Sequence, residues 1–263
     1  MDELTEISKK YDTDKSKEHQ YTKIYNKYFF KKKNQEIKLF EIGIGYPEDP
    51  KKGGGSLQMW RDYFPKGIIY GIDIVIKNLD LGERVKIYQG SQDNHQDLNK
   101  VVNDAGKFDI IIDDGSHFNN HQIKTFEHLF KFLNFGGYYV IEDTQTSYML
   151  KYGGDGFYLK NKKTAVNYFK NFIDRINFRE IENPYNKFKN DEFSSSITEI
   201  HFYHNLIIIK KDFNKEPSNL LIENQFKVKG KSAIGIRNIL KQMKYFFHFL
   251  RSIINKFLDI LKI

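Results

Sequence analysis

Two short acidic segments carry the chemistry this sequence is equipped for. One is Asp113-Asp114-Gly115-Ser116-His117, which follows the apolar run FDIII. The other is Glu142-Asp143, which follows YYVI. Both stand where a strand-like run ends, and ligands of open α/β sheets bind outside the carboxyl ends of strands. Neighbouring strands lie about 4.8 Å apart, so adjacent runs would crowd up to four carboxylates into one crevice. Like charges that close repel unless a cation intervenes. The simplest remedy is a divalent cation with oxygen ligands. The chain has no cysteine, which favours hard Mg²⁺ or Mn²⁺ over zinc. Successive strand residues face opposite sides, so either the strand has ended at Glu142 or only one acid of each pair points at the metal. The expected ligands are Asp114, Glu142 and Asp143, with Asp113 nearer the cofactor crevice. The competing expectation is helix capping, with Asp114 or Ser116 as N-cap of a helix beginning near Asn119.

His117 stands three residues past Asp114 in an expected loop. Histidine exchanges a proton in the mid-pH range, so beside a carboxylate cluster it is the candidate general base. The alternative is a surface histidine that only fills a hydrogen bond. His121 is a second, weaker candidate. His117 and Asp114 are therefore the expected catalytic pair.

Upstream, Phe40-Glu41-Ile42-Gly43-Ile44-Gly45 places Gly-x-Gly directly after an apolar run. Glycine there lets the backbone approach a ligand closely. Gly71-Ile72-Asp73 ends the next run, and an acid at that spacing suits a ribose. The third glycine of the dinucleotide fingerprint and the Gly-Lys-Ser/Thr of a phosphate loop are both missing, so a nucleoside cofactor without a pyrophosphate fits best. Glu41, inside the run, either faces the cofactor's amino group or is a buried, locally paired acid.

These residues need a scaffold. Lys38–Ile44, Ile68–Ile74, Val85–Gln89, Phe108–Asp113 and Tyr138–Ile141 are short, nearly continuous apolar runs, as strands buried on both faces of a parallel sheet read. Helix-like segments alternate with them at Ser56–Tyr63, Asp93–Asp104 and Asn119–Phe132. The expected fold is α/β, a doubly wound, mostly parallel seven-stranded sheet of the Rossmann-like kind. Beyond Asp143 the rhythm breaks. Residues 144–160, with Tyr148, Tyr152 and Tyr158 among glycines, suit either a lid or local packing. Residues 163–178 suit a helix. Ile197–Lys210 suits an antiparallel closing hairpin turning at His204–Asn205. The expected division is 1–36, a helical segment closing over the cofactor; 37–212, the core; and 213–263, a C-terminal extension.

The chain has 263 residues with 42 Lys+Arg and 34 Asp+Glu, a formal charge of +8. Residues 226–263 hold nine bases and one acid. The first 225 residues therefore hold 42 − 9 = 33 bases and 34 − 1 = 33 acids. The basic character belongs to a tail, which argues against a nucleic-acid-binding core. From Ser232 onward the apolar positions Ile239, Met243, Phe246, Leu250, Ile253, Phe257 and Ile260 are spaced 4, 3, 4, 3, 4, 3. That is one amphipathic helix with Lys and Arg off the stripe. It suits packing on the protein or a homo-oligomer partner, or peripheral contact of 232–263 with an anionic membrane. Nucleic-acid binding is the third and least favoured reading, as base-stacking aromatics on a polar sheet face are not evident. The polar N-terminus lacks a signal-peptide core and no run reaches about 20 apolar residues, so a cytoplasmic location, peripheral to the membrane's inner face at most, is expected.

The motifs also resemble a known family. FEIGIGY, the Gly53-Gly54-Gly55-Ser56-Leu57-x-Met59-Trp60 box, GIDI, IDDGSH, GGYYVIEDTQTSY and HFYHNLI are similar to the mycinamicin/macrocin-type sugar O-methyltransferases. Tyr11-Asp12-Thr13-Asp14-Lys15 with His19-x-Tyr21-Thr22 resembles their entry motif. The likeness runs collinearly over roughly 8–212. It implies a class I S-adenosylmethionine-dependent methyltransferase that transfers methyl to a sugar hydroxyl with Mg²⁺ (or Mn²⁺). It implies metal ligation by Asp114, Glu142 and Asp143, and His117 as base. It implies a cofactor pocket at Gly43, Gly45, Asp73 and Gly90-Ser91-Gln92, with His19 and Tyr21 closing over it. Related sequences in surface-polysaccharide pathways suggest a capsule-type precursor, such as a nucleotide-linked sugar, as acceptor. An amide or amine nitrogen is the alternative acceptor, and a membrane-recruited binding protein without turnover the alternative of another class. The large N-terminal domain of the mycinamicin type has no counterpart in this sequence, so oligomer contacts made there are not implied.

Overall fold

A computed structural model describes residues 2–181, 185–218 and 243–253. The chain divides into two compact units, Met1–Ile176 with Asn190–Lys215, and Asn177–Lys189 with Glu216–Ile263.

The first unit is built on seven strands: β1 (Lys38–Ile42), β2 (Ile68–Asp73), β3 (Val85–Gln89), β4 (Phe108–Asp113), β5 (Leu133–Ile141), β6 (Ile197–Tyr203) and β7 (Leu206–Lys211). Their order is β3-β2-β1-β4-β5-β7-β6. The first five pair in parallel, and β7 closes the sheet antiparallel to β5 and β6. This is the expected doubly wound sheet with its closing hairpin, turning at Asn205, whose φ is 61°.

The near-continuous apolar runs are explained by burial on both faces. Phe40, Ile42, Ile111, Tyr139, Ile141, Ile207 and Ile209 pack into one hydrophobic layer. Their chain neighbours Leu39, Ile110, Ile112, Val140 and Ile208 pack into the other. Adjacent strand residues thus part to opposite sides. Helices α1 (Glu3–Ser8), α2 (Tyr21–Phe29) and α3 (Gly55–Tyr63) cover the second layer through Leu4, Tyr25, Phe29, Leu57 and Trp60. Helices α4 (His95–Ala105), α5 (Asn119–Leu129), α6 (Ala165–Lys170) and α7 (Phe172–Ile176) cover the first through Leu98, Val101, Phe126, Phe169 and Phe172. A short α8 (Glu192–Ser196) leads into β6.

Two expected boundaries move. β5 starts at Leu133, five residues before the expected Tyr138, because Leu133 pairs with Phe108 across a register shift. The single helix expected over 163–178 is two, α6 and α7, with Asn171 between them. The 144–160 segment holds two tight 3₁₀ turns, Thr144–Tyr148 and Leu150–Tyr152.

In the second unit the structure shows a 3₁₀ turn at Phe178–Glu180 and a helix over 243–253. Met243, Phe246, Phe247, Leu250 and Ile253 on that helix are exposed. The rest of the expected amphipathic stripe lies outside the described residues. No helix among the described residues is long and apolar enough to cross a membrane.

Candidate active site

The carboxyl ends of β1, β2 and β4 open onto a cavity of about 890 Å³. Gly43, at φ 93°, is where β1 leaves the sheet, and its amide donates to the Ile72 carbonyl at 2.8 Å. A Cβ at Gly43 would collide with the Asp114 carbonyl oxygen, so only glycine lets the two strand exits pass this closely. Gly45, at φ 77°, lines open space. Asp73 ends β2 and holds the turn: Oδ2 accepts from the Ile44 amide at 2.8 Å and Oδ1 from the Val75 amide at 2.9 Å. Gly43, Gly45, Asp73, Ser91 and Gln92 all line the cavity.

Gln92 is a bridge. Its Nε2 donates to Asp113 Oδ1 at 2.8 Å, and its Oε1 accepts from the Ser116 amide at 2.6 Å. Asp113 is fully buried beneath it, away from the cavity wall, with Oδ2 lacking a hydrogen-bond partner. Burial pushes the Asp113 carboxyl up to about 6, against the pull of the Gln92 hydrogen bond. Glu41 is also buried and off the wall: Trp60 Nε1 donates to Oε2 at 2.6 Å, and Lys15 Nζ lies 3.3 Å from Oε1. Of its two expected settings, the structure shows the buried, locally paired one.

β4 and β5 are neighbours, with Asp113 opposite Ile141, so the two acidic exits do meet. Their acids alternate. Asp113 and Glu142 turn inward and are buried, while Asp114 and Asp143 turn outward, 22 % and 16 % exposed at the side chain. Asp143 and His117 both hold left-handed backbone, at φ 53° and 59°, a conformation costing roughly 1–3 kcal/mol each for a non-glycine residue. His117 Nε2 lies 3.6 Å from Asp143 Oδ2. Asp114, His117 and Asp143 each present one ligand atom within 4.8 Å of the others, and all three line the cavity. His117 Nδ1 is buried without a hydrogen-bond partner. The two carboxylates offer oxygen ligands that fit a divalent cation, and the imidazole stands beside them with its Nδ1 unpartnered.

Helix capping does not account for these acids. The N-cap of α5 is Phe118, without a side-chain cap. Ser116 Oγ instead pairs with His121 Nδ1 at 2.8 Å, and His121 Nε2 lies 3.5 Å from Asp93.

The N-terminal segment completes the site. Tyr21 Oη donates to Asp143 Oδ1 at 3.0 Å, and burial, with the Asp143 charge next, pushes its phenol well up. His19 stacks on Tyr21 with centroids 4.6 Å apart, its Nε2 3.7 Å from Asp143. His19 and Tyr21 thus stand behind Asp143, whereas Asp12, Thr13, Asp14 and Lys15 reach the cavity wall.

Lys15 is the residue the sequence reading left without a role. It is 1 % exposed, with Nζ 2.7 Å from Asp114 Oδ2 and 2.7 Å from Glu142 Oε1. Tyr25 Oη also donates to Glu142 Oε1, at 2.5 Å. Burial opposes the lysine's charge, but Asp114, Glu142 and Glu41 outweigh it and hold the ammonium above its ordinary range. Its partners lie 99 and 127 residues away, so spacing gave no sign of it.

The aromatic segment after β5 is held by Asn119, whose Nδ2 donates to the Thr146 and Tyr152 carbonyls. Tyr148 and Tyr158 are exposed and off the cavity wall. Tyr152 packs edge-on against Phe118, which does line it.

No family model matches the chain. It is 37 % identical over 215 residues to mycinamicin VI 2''-O-methyltransferase of Micromonospora griseorubida, covering 81 % of this chain and 54 % of that protein. It is 36 % identical over 216 residues to demethylmacrocin O-methyltransferase of Streptomyces fradiae, with the same two coverages. Among solved structures it is similar to the MycE methyltransferase from the mycinamycin biosynthetic pathway in complex with Mg and SAH. The TM-score is 0.77 at 37 % identity, over 82 % of this chain and 56 % of that one. The chain spans about half the length of the curated relatives it matches.

Proposed function

We propose that this chain, which belongs to the class I S-adenosylmethionine-dependent methyltransferases of the mycinamicin/macrocin type, transfers a methyl group from S-adenosylmethionine to a sugar hydroxyl with the help of Mg²⁺ or Mn²⁺. One observation carries the reading: Asp114, His117 and Asp143 converge beside a cavity walled by the Gly43–Gly45 turn and Asp73. The solved MycE complexes hold Mg and SAH, and one also holds mycinamycin VI.

In this reading each residue's role is one that its position supports. Gly43 and Gly45 would leave room for the cofactor, Asp73 would serve its ribose, and Ser91 and Gln92 line the same pocket. Asp114 and Asp143 would hold the cation, with Glu142, bonded to Lys15 and Tyr25 behind them, as the third expected ligand. When bound, the cation supplies a Lewis acid that orients and polarises a hydroxyl. The hydroxyl oxygen attacks the sulfonium methyl in line. The O–CH₃ bond forms as the S–CH₃ bond breaks, and sulfur keeps the electron pair as S-adenosylhomocysteine leaves. His117 takes the hydroxyl proton, and Asp143 beside it stabilises the resulting imidazolium. The 11–21 segment covers the cofactor, a role supported by Asp12, Thr13, Asp14 and Lys15 on the cavity wall.

The acceptor is the sugar of a glycosylated small molecule, by likeness to relatives named for mycinamicin VI and demethylmacrocin. A nucleotide-linked surface-glycan precursor is the finer alternative. Lys and Arg beside Met243, Phe246 and Leu250 support contact of the tail with an anionic surface. Mass spectrometry of a panel of glycosylated macrolides and nucleotide sugars, incubated with protein, S-adenosylmethionine and Mg²⁺, tests the reading. One acceptor gaining a methyl supports it. A panel left unmethylated, with no S-adenosylhomocysteine formed, argues against it.

A further inference from the structure

The N-terminal segment between α1 and α2 pushes a cation into the carboxyl edge of the sheet. Lys15 Nζ touches Glu41 from β1, Asp114 from the end of β4 and Glu142 from the end of β5, at 3.3, 2.7 and 2.7 Å. The three acids come from three adjacent strands, so without an intervening cation they would repel. Lys15 is clamped from behind, its carbonyl accepting from the Tyr21 and Thr22 amides at 3.1 and 3.3 Å. Outside, Asp12 pairs with Tyr46 and Tyr11 with Asp62. The segment is therefore pinned at its surface by short polar contacts and in its interior by Lys15.

Asp114 serves two masters in this arrangement. Its carboxylate is the inner partner of Lys15, and it also belongs to the Asp114–His117–Asp143 cluster on the cavity wall. Glu142, the other acid of the β5 exit, has Oε1 bonded to both Lys15 and Tyr25. An ammonium on those lone pairs repels a second cation brought to the same carboxylates, and in a buried site that repulsion is weakly screened.

We infer that Lys15 is a resident counter-ion against which a divalent cation must compete, so that Lys15 sets the metal affinity of the site and metal loading loosens the grip of the 11–20 segment. The inference rests on the metal-assisted reading above. The two effects are one coupling, because a contact that weakens metal binding is itself weakened by the metal to the same degree. Lys15 is thus a positioning residue that links the seating of the N-terminal segment to the charge state of the site.

Mn²⁺ alone is the probe. Free Mn²⁺ is followed by electron paramagnetic resonance while cofactor-free wild-type protein and Lys15→Met are titrated. The expected result is Mn²⁺ binding at least about tenfold tighter in Lys15→Met, the scale of removing one unit charge that occupies the same carboxylates. Equal or weaker binding in the variant overturns the inference. Binding by neither protein overturns the metal reading on which it rests. Because a methionine among three acids threatens folding, a second measurement uses the wild type. Hydrogen exchange of amides 11–19 is compared with and without Mn²⁺. Faster exchange on loading is expected, and unchanged or slower exchange overturns the inference.

Discussion

His117 Nε2 stands 3.6 Å from Asp143 Oδ2, and both residues occupy left-handed backbone. They close neighbouring strands, and their turns swing two side chains from different exits toward one point. Such backbone is uncommon for non-glycine residues and concentrates at functional sites. Among the described non-glycine residues only Tyr46 and Asn205 share it.

Replacing His117 with Ala should therefore leave cofactor binding intact and lower kcat by about 10²–10⁴-fold, the usual worth of a general base. Calorimetric titration with S-adenosylhomocysteine beside steady-state kinetics reads both quantities. Near wild-type turnover would remove His117 from the mechanism.

Gly43→Ala should damage cofactor binding and stability together. The added methyl meets the Asp114 carbonyl, and the φ of 93° is itself unfavourable for alanine. A loss of about 2 kcal/mol or more in urea unfolding is expected, with weaker S-adenosylhomocysteine binding. Gly45→Ala shares the unfavourable φ but meets open space, so its loss should be the smaller of the two.

Asp113 makes stability pH-dependent in a stated direction. Burial raises its carboxyl to about 6 from an unfolded value of 3.8. The native state then holds the proton more tightly than the unfolded state. The associated stability is full below about pH 4 and is lost as pH rises through 6. A shift of about two units corresponds to roughly 3 kcal/mol. Asp113→Asn keeps an oxygen for Gln92 and removes this dependence. Urea unfolding at pH 4.5 and 7.5 should show the variant gaining on wild type at the higher pH.

His128 acts in the opposite sense. Burial, then the stacked His95 ring at 4.0 Å, push it down to about 4. The native state prefers the neutral ring, so its stability is present above about pH 6.5 and is lost as pH falls toward 4. His128→Gln should flatten the acid side of the melting-temperature profile between pH 6.5 and 4.5. An unchanged slope would show that the ring is free to charge in the folded protein.

Much of this was legible in the sequence for a physical reason. A parallel sheet buried on both faces writes each strand as an apolar run, and each of the five parallel strands gives onto the cavity wall within two residues of its end, at Gly43, Asp73, Gly90, Asp114 and Asp143. Alternation left open whether one acid of each exit turns away, and the expected ligand set kept Glu142 beside Asp143; in the fold Asp113 and Glu142 both turn inward, Glu142 onto Lys15 and Tyr25. Lys15 was not legible as a partner, because its acids are brought to it only by folding. The fate of Glu41 was equally hidden, since a single acid in a strand does not reveal that Trp60 and Lys15 await it. The break at Asn171 escaped because α6 and α7 carry one continuous helical pattern.

Deuterated S-adenosylmethionine gives the most direct examination of metal-assisted sugar methylation. The protein is incubated with the acceptor that the panel identifies and the trideuteromethyl donor, with Mg²⁺, with EDTA, and with Mn²⁺ after EDTA, and the product is mapped by NMR. The label should appear on one sugar oxygen, vanish in EDTA and return with Mn²⁺. Label on nitrogen, or label transferred undiminished in EDTA, would contradict it.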